Sequence, residues 1–501
     1  MESINRREFI KTGIGAGLAA AEIPNKLFAI GKKKSKRPNI LWIIMDDGRA
    51  DAVGCYGKSW AQTPNMDSIA NQGVRFANAI VQNPVCVPSR KSMKSGHYPH
   101  TFGITAMGKP ASVQPAYMKK AKPNVANLLN CWKEVGINPV NVGKRHAYQK
   151  DWINKGDRGA LIDFFGSPRG AEAKEKFEKS TGPNKYRPVN IKTHRWMIGG
   201  IVPYAPEDTQ TWHLGDLGVE TLKELATKDE PFFLRVSFHA PHVPCRVPRE
   251  YFIDPEAIAL PVPTEEELKS KPRFERENLH IYAGGLDLTK EQIGICRGTY
   301  YGMVSLVDAQ VGRLVKCLKE AGLMNNTIIA INSDQGFQLG EHGLWKKRVF
   351  YEQNVCVPFI ISCPGLLPSG KVIDEPVEMI DFVPTLMELC GIDVPRSISG
   401  RSLMPLIRGD VKQWRPACFS EIDHSYSMYE ELRGGSGRRV MVRTKEWKLI
   451  YFMDERVSDK DGALYNLKND RDEKENLYNK PQYKHIKREL EGLAEKWDQE
   501  K

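Results

Sequence analysis

The chain has 501 residues, 41% hydrophobic and 27% charged, a balance that excludes a disordered or fibrous protein and suffices for a large buried core. Its formal charge is +12, but residues 1–36 hold eight basic and three acidic side chains, so about +7 belongs to the remainder. No RNA-recognition signature, zinc-finger spacing or basic zipper accompanies that charge, so no nucleic-acid partner is expected, and ten cysteines without a C-x-x-C pair argue against a disulfide scaffold or zinc ribbon.

The first segment reads as an address. Arg6 and Arg7, followed by Glu8, Phe9, Ile10 and Lys11 and then the small apolar run TGIGAGLAAA, match a bacterial twin-arginine export signal. The run falls short of the roughly 20 residues a membrane-spanning helix needs, and no later apolar run is long enough. The expected mature protein is periplasmic or secreted, with no stable membrane span. Gly13, Gly15 and Gly17 follow no strand and so form no nucleotide loop, and KKKSKR (Lys32 to Arg37) reads as a linker. The predicted organisation is signal and linker over 1–36, a catalytic domain over 37–410 and a C-terminal subdomain over 411–501.

From residue 37 onward strand and helix patterns alternate. PNILWIIMDD (Pro38 to Asp47) is an unbroken apolar run ending in two acids, and the same shape returns in NPVNVGK, PFFLRVSFHAPH and TIIAINSDQG. Unbroken hydrophobicity predicts strands buried on both faces. Between them TPNMDSIANQG, NVANLLNCWKEVG and SLVDAQVGRLVKCLKEAG predict amphipathic helices, several stopped by glycine. The expected fold is α/β: a large, mostly parallel mixed sheet sandwiched by helices. After about Asp410, RRVMVRTKEWKLIYF alternates like an antiparallel hairpin and HIKRELEGLAEKW closes the chain as an amphipathic helix, giving a small α+β subdomain.

Each predicted strand ends on polar residues. In open α/β sheets ligands bind at the carboxyl ends of strands, so Asp46, Asp47, Lys144, His146, His239, His242, Asp334 and Gln335 are candidates to meet on one rim, although each alone also suits a cap or turn. Cys86 stands in NPVCVPSRKSMKSGHYPH, where Pro88 suits the first helical turn and places Cys86 at a helix N-terminus, facing free amides, with Arg90, Lys94 and His97 adding positive charge. That local chemistry fits a reactive thiolate or a plain capped turn. The carboxylates with the Gln335 amide form an all-oxygen set suited to calcium or magnesium, beside which an oxygen nucleophile makes more sense than a soft thiolate.

These residues carry a resemblance. Cys86-Val87-Pro88-Ser89-Arg90, with Ser95-Gly96 two turns on, resembles the C-x-P-S-R signature of type I sulfatases in the alkaline-phosphatase-like superfamily. The likeness continues through MDDGRADAVGCYG, VGKRH, FHAPHVP, SDQGFQLGEHGLWKKRVFYE, DFVPTLMELCGI and ALYNLKNDRDEKENL, so it spans nearly the whole chain after the leader. It implies an alkaline-phosphatase-like fold. It also implies that a formylglycine-generating or sulfatase-maturating enzyme oxidises Cys86 to formylglycine. The hydrated aldehyde attacks sulfur through one hydroxyl, and the other, once deprotonated, expels sulfate.

By the same resemblance Asp46, Asp47, Asp334 and Gln335 bind calcium, with magnesium as the alternative. Arg90 and Lys144 steady the diol and the sulfate, His146 is the base, and His242 and Lys347 bind sulfate and assist the leaving oxygen. Three positions depart from the family pattern: Gln335 where asparagine or histidine is frequent, Arg145 for tryptophan and His97 for arginine. Arg145, His97, His239, Lys346 and Arg348 are the candidates for contacts beyond the scissile sulfate. The leading expectation is an exported sulfatase acting on a sulfated polysaccharide or glycosaminoglycan, since VCVPSR and SFHAPHVPCRVPREYF also resemble iduronate-2-sulfatases. The alternatives are an arylsulfatase, a phosphonate or phosphodiester hydrolase of the same superfamily, and a non-catalytic binder of sulfated glycan with Cys86 unconverted.

Overall fold

The structure is a computed structural model and describes residues 37–57, 60–105, 127–146, 153–155, 172, 189–190, 197–272, 274–276, 288–423, 437–453 and 461–499. The expected export signal and linker lie outside the described residues.

Strands β1 (Asn39–Asp46), β2 (Val74–Phe76), β3 (Pro139–Gly143), β4 (Ile153–Lys155), β5 (Phe233–Pro241), β6 (Thr327–Ser333), β7 (Phe359–Ser362) and β8 (Lys371–Ile373) form one sheet in the order β8-β2-β7-β6-β1-β5-β3-β4. Pairing is parallel from β6 through β1, β5 and β3 to β4, and again between β8 and β2. The two pairings of β7 are antiparallel, which makes the sheet mixed.

Every residue of β1 is buried, and the cause is a core on each face. Ile40, Trp42 and Ile44 enter one core, while Leu41, Ile43 and Met45 enter the other, as the two-residue repeat of a strand requires. Helices α2 (Cys86–Ser95) and α5 (Phe382–Leu389) pack into the first core. Helices α1 (Pro64–Asn71), α3 (Gln210–Ala226) and α4 (Lys290–Glu320) pack into the second. The expected α/β sandwich is therefore observed.

Two helices differ from expectation. NVANLLNCWKEVG supplies, among its described residues, a 3-10 turn at Leu128–Asn130 and one α-turn at Cys131–Glu134. In α4 the chain turns helical at Lys290, far ahead of the SLVDAQ stretch, behind a capping box between Thr289 and Gln292. Glycines hid that first half. A β-carbon on Gly298 would lie 2.1 Å from the Ile253 carbonyl and one on Gly302 would lie 2.3 Å from that of Tyr251, so the helix runs directly against the 251–253 backbone. Gly298→Ala should therefore cost about 1–3 kcal/mol, read as a lowered midpoint in chemical denaturation.

Strands β9 (Cys418–Asp423), β10 (Arg438–Arg443), β11 (Trp447–Phe452) and β12 (Ala463–Asn466) form an antiparallel C-terminal sheet. Its inner face, including Ile422, Met441 and Ile450, joins the first core. On its outer face lies α6 (Lys484–Gln499), whose Trp497 stacks on Phe419 with ring centroids 4.9 Å apart. Among the described residues, no helix is long and apolar enough to cross a membrane.

Candidate active site

Strands β6, β1, β5 and β3 are consecutive neighbours and all parallel, so their carboxyl ends share one edge of the sheet. Asp46 ends β1 and Asp47 follows it, Asp334 and Gln335 follow β6, His239 and His242 lie at the end of β5, and Lys144, Arg145 and His146 follow β3. The sheet order thus explains why polar endings far apart in sequence meet.

Helix α2 begins on Cys86, as Pro88 predicted, and its first turns are pinned to the rim. Ser89 Oγ donates to the Asp334 carbonyl at 2.5 Å. Arg90 Nε donates to Asp334 Oδ2 at 2.5 Å and Nη1 to Ser237 Oγ at 3.0 Å, while Nη2 stands 4.0 Å from Asp46 Oδ2. Lys144 pairs with Asp46, and Lys347 Nζ lies 2.6 Å from Asp47 Oδ1. Lys347 occupies a segment of unusual backbone: Gly340, His342, Gly343, Lys346 and Arg348 all have φ between 58° and 101°. His342, Lys346 and Arg348 are not glycine, so tertiary contacts must hold the loop there.

Candidate residues outside this cluster are placed less closely. The ring of His239 packs 4.8 Å from that of His242. Arg145 is half-buried after β3, and Lys346 and Arg348 flank Lys347. His97 lies two residues past the end of α2 and is half-buried. A cavity of about 650 Å³, lined in part by Arg49, Trp60, Pro261, Arg297 and Glu341, contains none of the rim residues and is a separate feature. Sequence reading missed Ser237, which orients Arg90, and Tyr300, whose Oη donates to the Asp47 carbonyl at 2.5 Å. Ser237 opens the SFHAPHVP stretch but drew no role there, and Tyr300 lies in no motif.

Burial sets the electrostatics. It raises Asp47 to about 6 against the pull of Lys347, and lowers Lys144 to about 7. For Asp334 burial acts upward too, but Arg90, Lys144 and Lys347 outweigh it and hold the carboxyl below its usual value. His146 falls to about 3 through burial beside Lys144 and Arg90, and burial takes His239 and His242 well below the ordinary imidazole range, so all three are uncharged. The Cys86 thiol is pushed up by burial, which disfavours a thiolate.

The residues fit a hard cation beside an anion. Asp46, Asp47, Asp334 and Gln335 are fully buried, and Asp47 Oδ2 and Gln335 Oε1 have no hydrogen-bond partner. His242 Nδ1 faces the Val243 carbonyl at 2.6 Å, which in the neutral ring makes Nε2 an acceptor, yet that nitrogen lies 3.8 Å from Asp47 Oδ2. Asp47 Oδ2, a buried acceptor that no donor reaches, close to the Asp46 carboxylate and His242 Nε2, suits a divalent ion. Asp46, Asp47 and His242 each offer a ligand atom, all within 4.8 Å of one another, so His242 joins the candidate metal ligands. Arg90 Nη2, also buried and without a hydrogen bond, is the matching donor for an anion.

A mostly parallel sheet presenting such a rim at its carboxyl edge fits the hydrolases of the alkaline-phosphatase-like superfamily. A family model described as Sulfatase matches residues 38–392, and one described as N-sulphoglucosamine sulphohydrolase, C-terminal, matches 340–500. The chain belongs to the sulfatase family and is a sulfuric ester hydrolase. It is 28% identical to an arylsulfatase of Clostridium perfringens, covering 92% of this chain and 95% of that one. It is 26% identical to an N-acetylglucosamine-6-O-sulfatase of Bacteroides thetaiotaomicron, covering 93% and 87%. A phosphonate monoester hydrolase from Silicibacter pomeroyi shares the fold, with a TM-score of 0.76 at 23% identity over 92% of this chain and 95% of that chain.

Proposed function

We propose that this chain is an exported carbohydrate sulfatase that removes sulfate from a polysaccharide or glycosaminoglycan fragment, using formylglycine made from Cys86 and a calcium ion. The observation that carries this reading is the meeting of the α2 N-terminus, with Cys86 and Arg90, and the buried acceptor set of Asp46, Asp47, Asp334 and Gln335. Export rests on Arg6, Arg7 and the apolar run behind them.

Calcium, where bound, withdraws charge from the sulfate oxygens, and the aldehyde hydrate supplies the oxygen nucleophile. Asp46, Asp47, Asp334 and Gln335 would hold the cation, with His242 Nε2 3.8 Å from Asp47 Oδ2 as a further ligand atom. Turning the Gln335 amide about its axis exchanges nitrogen for oxygen and directs Oε1 at the carboxylates, which heavy-atom positions accept equally. Arg90 Nη2 and Lys144 Nζ bind sulfate oxygens, and Lys347 Nζ donates toward the departing ester oxygen. His146, uncharged and with no partner at Nδ1, accepts the proton that must leave before sulfate is expelled.

Arg145, His239, Lys346 and Arg348 supply the cationic and polar rim a sulfated sugar meets, and the basic surplus outside residues 1–36 favours a polyanion over a small aryl sulfate. The test is a parallel assay with defined sulfated saccharides, an aryl sulfate, a phosphate monoester and a phosphodiester. The expected result is release of sulfate from a saccharide, falling at least about 100-fold when calcium is chelated. Preference for the phosphodiester would replace this reading with the phosphohydrolase. A Cys86 peptide lacking the loss of about 18 Da that marks formylglycine, in protein inactive on every substrate, would indicate the glycan binder.

A further inference from the structure

Asp47 stands with φ at 66°, in the left-handed region that few non-glycine residues enter and that aspartate tolerates better than most, and here contacts hold it there. Three contacts do so. Its own N–H donates to Asp334 Oδ1 at 3.2 Å, and the next N–H, on Gly48, donates to Ser333 Oγ at 2.8 Å. The third contact comes from α4, which presents Tyr300. The phenol donates to the Asp47 carbonyl at 2.5 Å and accepts the Arg49 N–H at 3.1 Å, so one hydroxyl bridges the backbone on both sides of Gly48.

The phenol is fully buried, stacked near Phe337 at 6.1 Å and edge-on to Tyr301 at 5.6 Å, so the hydroxyl has little freedom to leave. The carboxylate of a residue forced into this backbone conformation points where the backbone sends it. With the carbonyl released, the Asp334 and Ser333 contacts alone would hold this turn, and the Asp47 oxygens would be less sharply aimed within the acceptor set.

We propose that Tyr300 is a positioning residue for the cation: through its bridge across Asp47, Gly48 and Arg49 it fixes the aim of the Asp47 carboxylate. This rests on the calcium reading above.

The test uses the full-length protein, stripped with chelator and titrated with calcium alone by calorimetry, comparing wild type, Tyr300→Phe and Tyr301→Phe. The Tyr300 change removes one oxygen and keeps the ring. Tyr301→Phe makes the same chemical change one residue along, where the hydroxyl receives Arg297 Nη2 at 3.4 Å instead. The expected result is a calcium Kd raised about 10- to 100-fold in Tyr300→Phe and unchanged within twofold in Tyr301→Phe. Saturating calcium should also return the kcat of Tyr300→Phe to wild type. Equal affinity in wild type and Tyr300→Phe would overturn the positioning role alone, as would a kcat deficit that excess calcium does not restore. Failure of wild type itself to bind calcium would overturn the metal reading first.

Discussion

Replacing Cys86 with alanine should lower sulfate release by about 10⁴- to 10⁶-fold, the range seen when an enzyme loses its nucleophile, while calcium binding stays intact. The size follows from the surroundings. Burial keeps the thiol protonated, and Asp47 and Asp334 oppose a negative charge there, so an unconverted cysteine offers no competent thiolate to mask the loss. Its place on the first residue of α2, with Ser89 and Arg90 tied to Asp334, leaves no neighbour able to substitute. Turnover and calcium titration on one preparation check this: residual activity within tenfold of wild type would remove Cys86 from the chemistry, and joint loss of calcium binding would mean the site had collapsed.

The second large effect lies in the C-terminal sheet. Lys448→Met should destabilise the protein by about 3–5 kcal/mol, the usual consequence of stripping one partner from a buried ion pair. Lys448 of β11 is fully buried, its Nζ donating to the Phe350 carbonyl at 2.9 Å and lying 2.8 Å from Glu352 Oε1 and 2.7 Å from Glu473 Oε1. Glu473 Oε2 in turn accepts the Glu352 N–H at 2.6 Å. Burial already pushes Glu473 up to about 7 with Lys448 acting against it, so the variant leaves a carboxyl that must take up a proton in order to stay folded. Denaturant unfolding checks the loss, and adding Glu473→Gln should recover part of it; a cost under about 1 kcal/mol would show that the network is not held by the lysine. Because Phe350 lies two residues past the positive-φ segment that carries Lys347, kcat should fall as well.

How much of this was legible in sequence follows from what each residue signals locally. β1, β3, β5 and β6 announced themselves as unbroken apolar runs because both their faces are covered, and their polar endings followed from strand polarity. The neighbour order β6-β1-β5-β3, which turns four separate endings into one rim, has no sequence signal, since parallel strands are joined by long crossovers. The first half of α4 was illegible because Gly298 and Gly302 read as breakers, whereas they are points of backbone contact with residues 251–253. Tyr300 was lost with that half. Lys448 looked like any alternating-strand lysine, and its three partners come from segments about a hundred or about twenty-five residues away.

Cys86 is only 3% exposed at the base of its helix. Under the proposed conversion to formylglycine, a second protein would reach this side chain only before strands from both halves of the sequence close over it. The modification would then compete with folding, and a molecule that folds first would keep its sulfur.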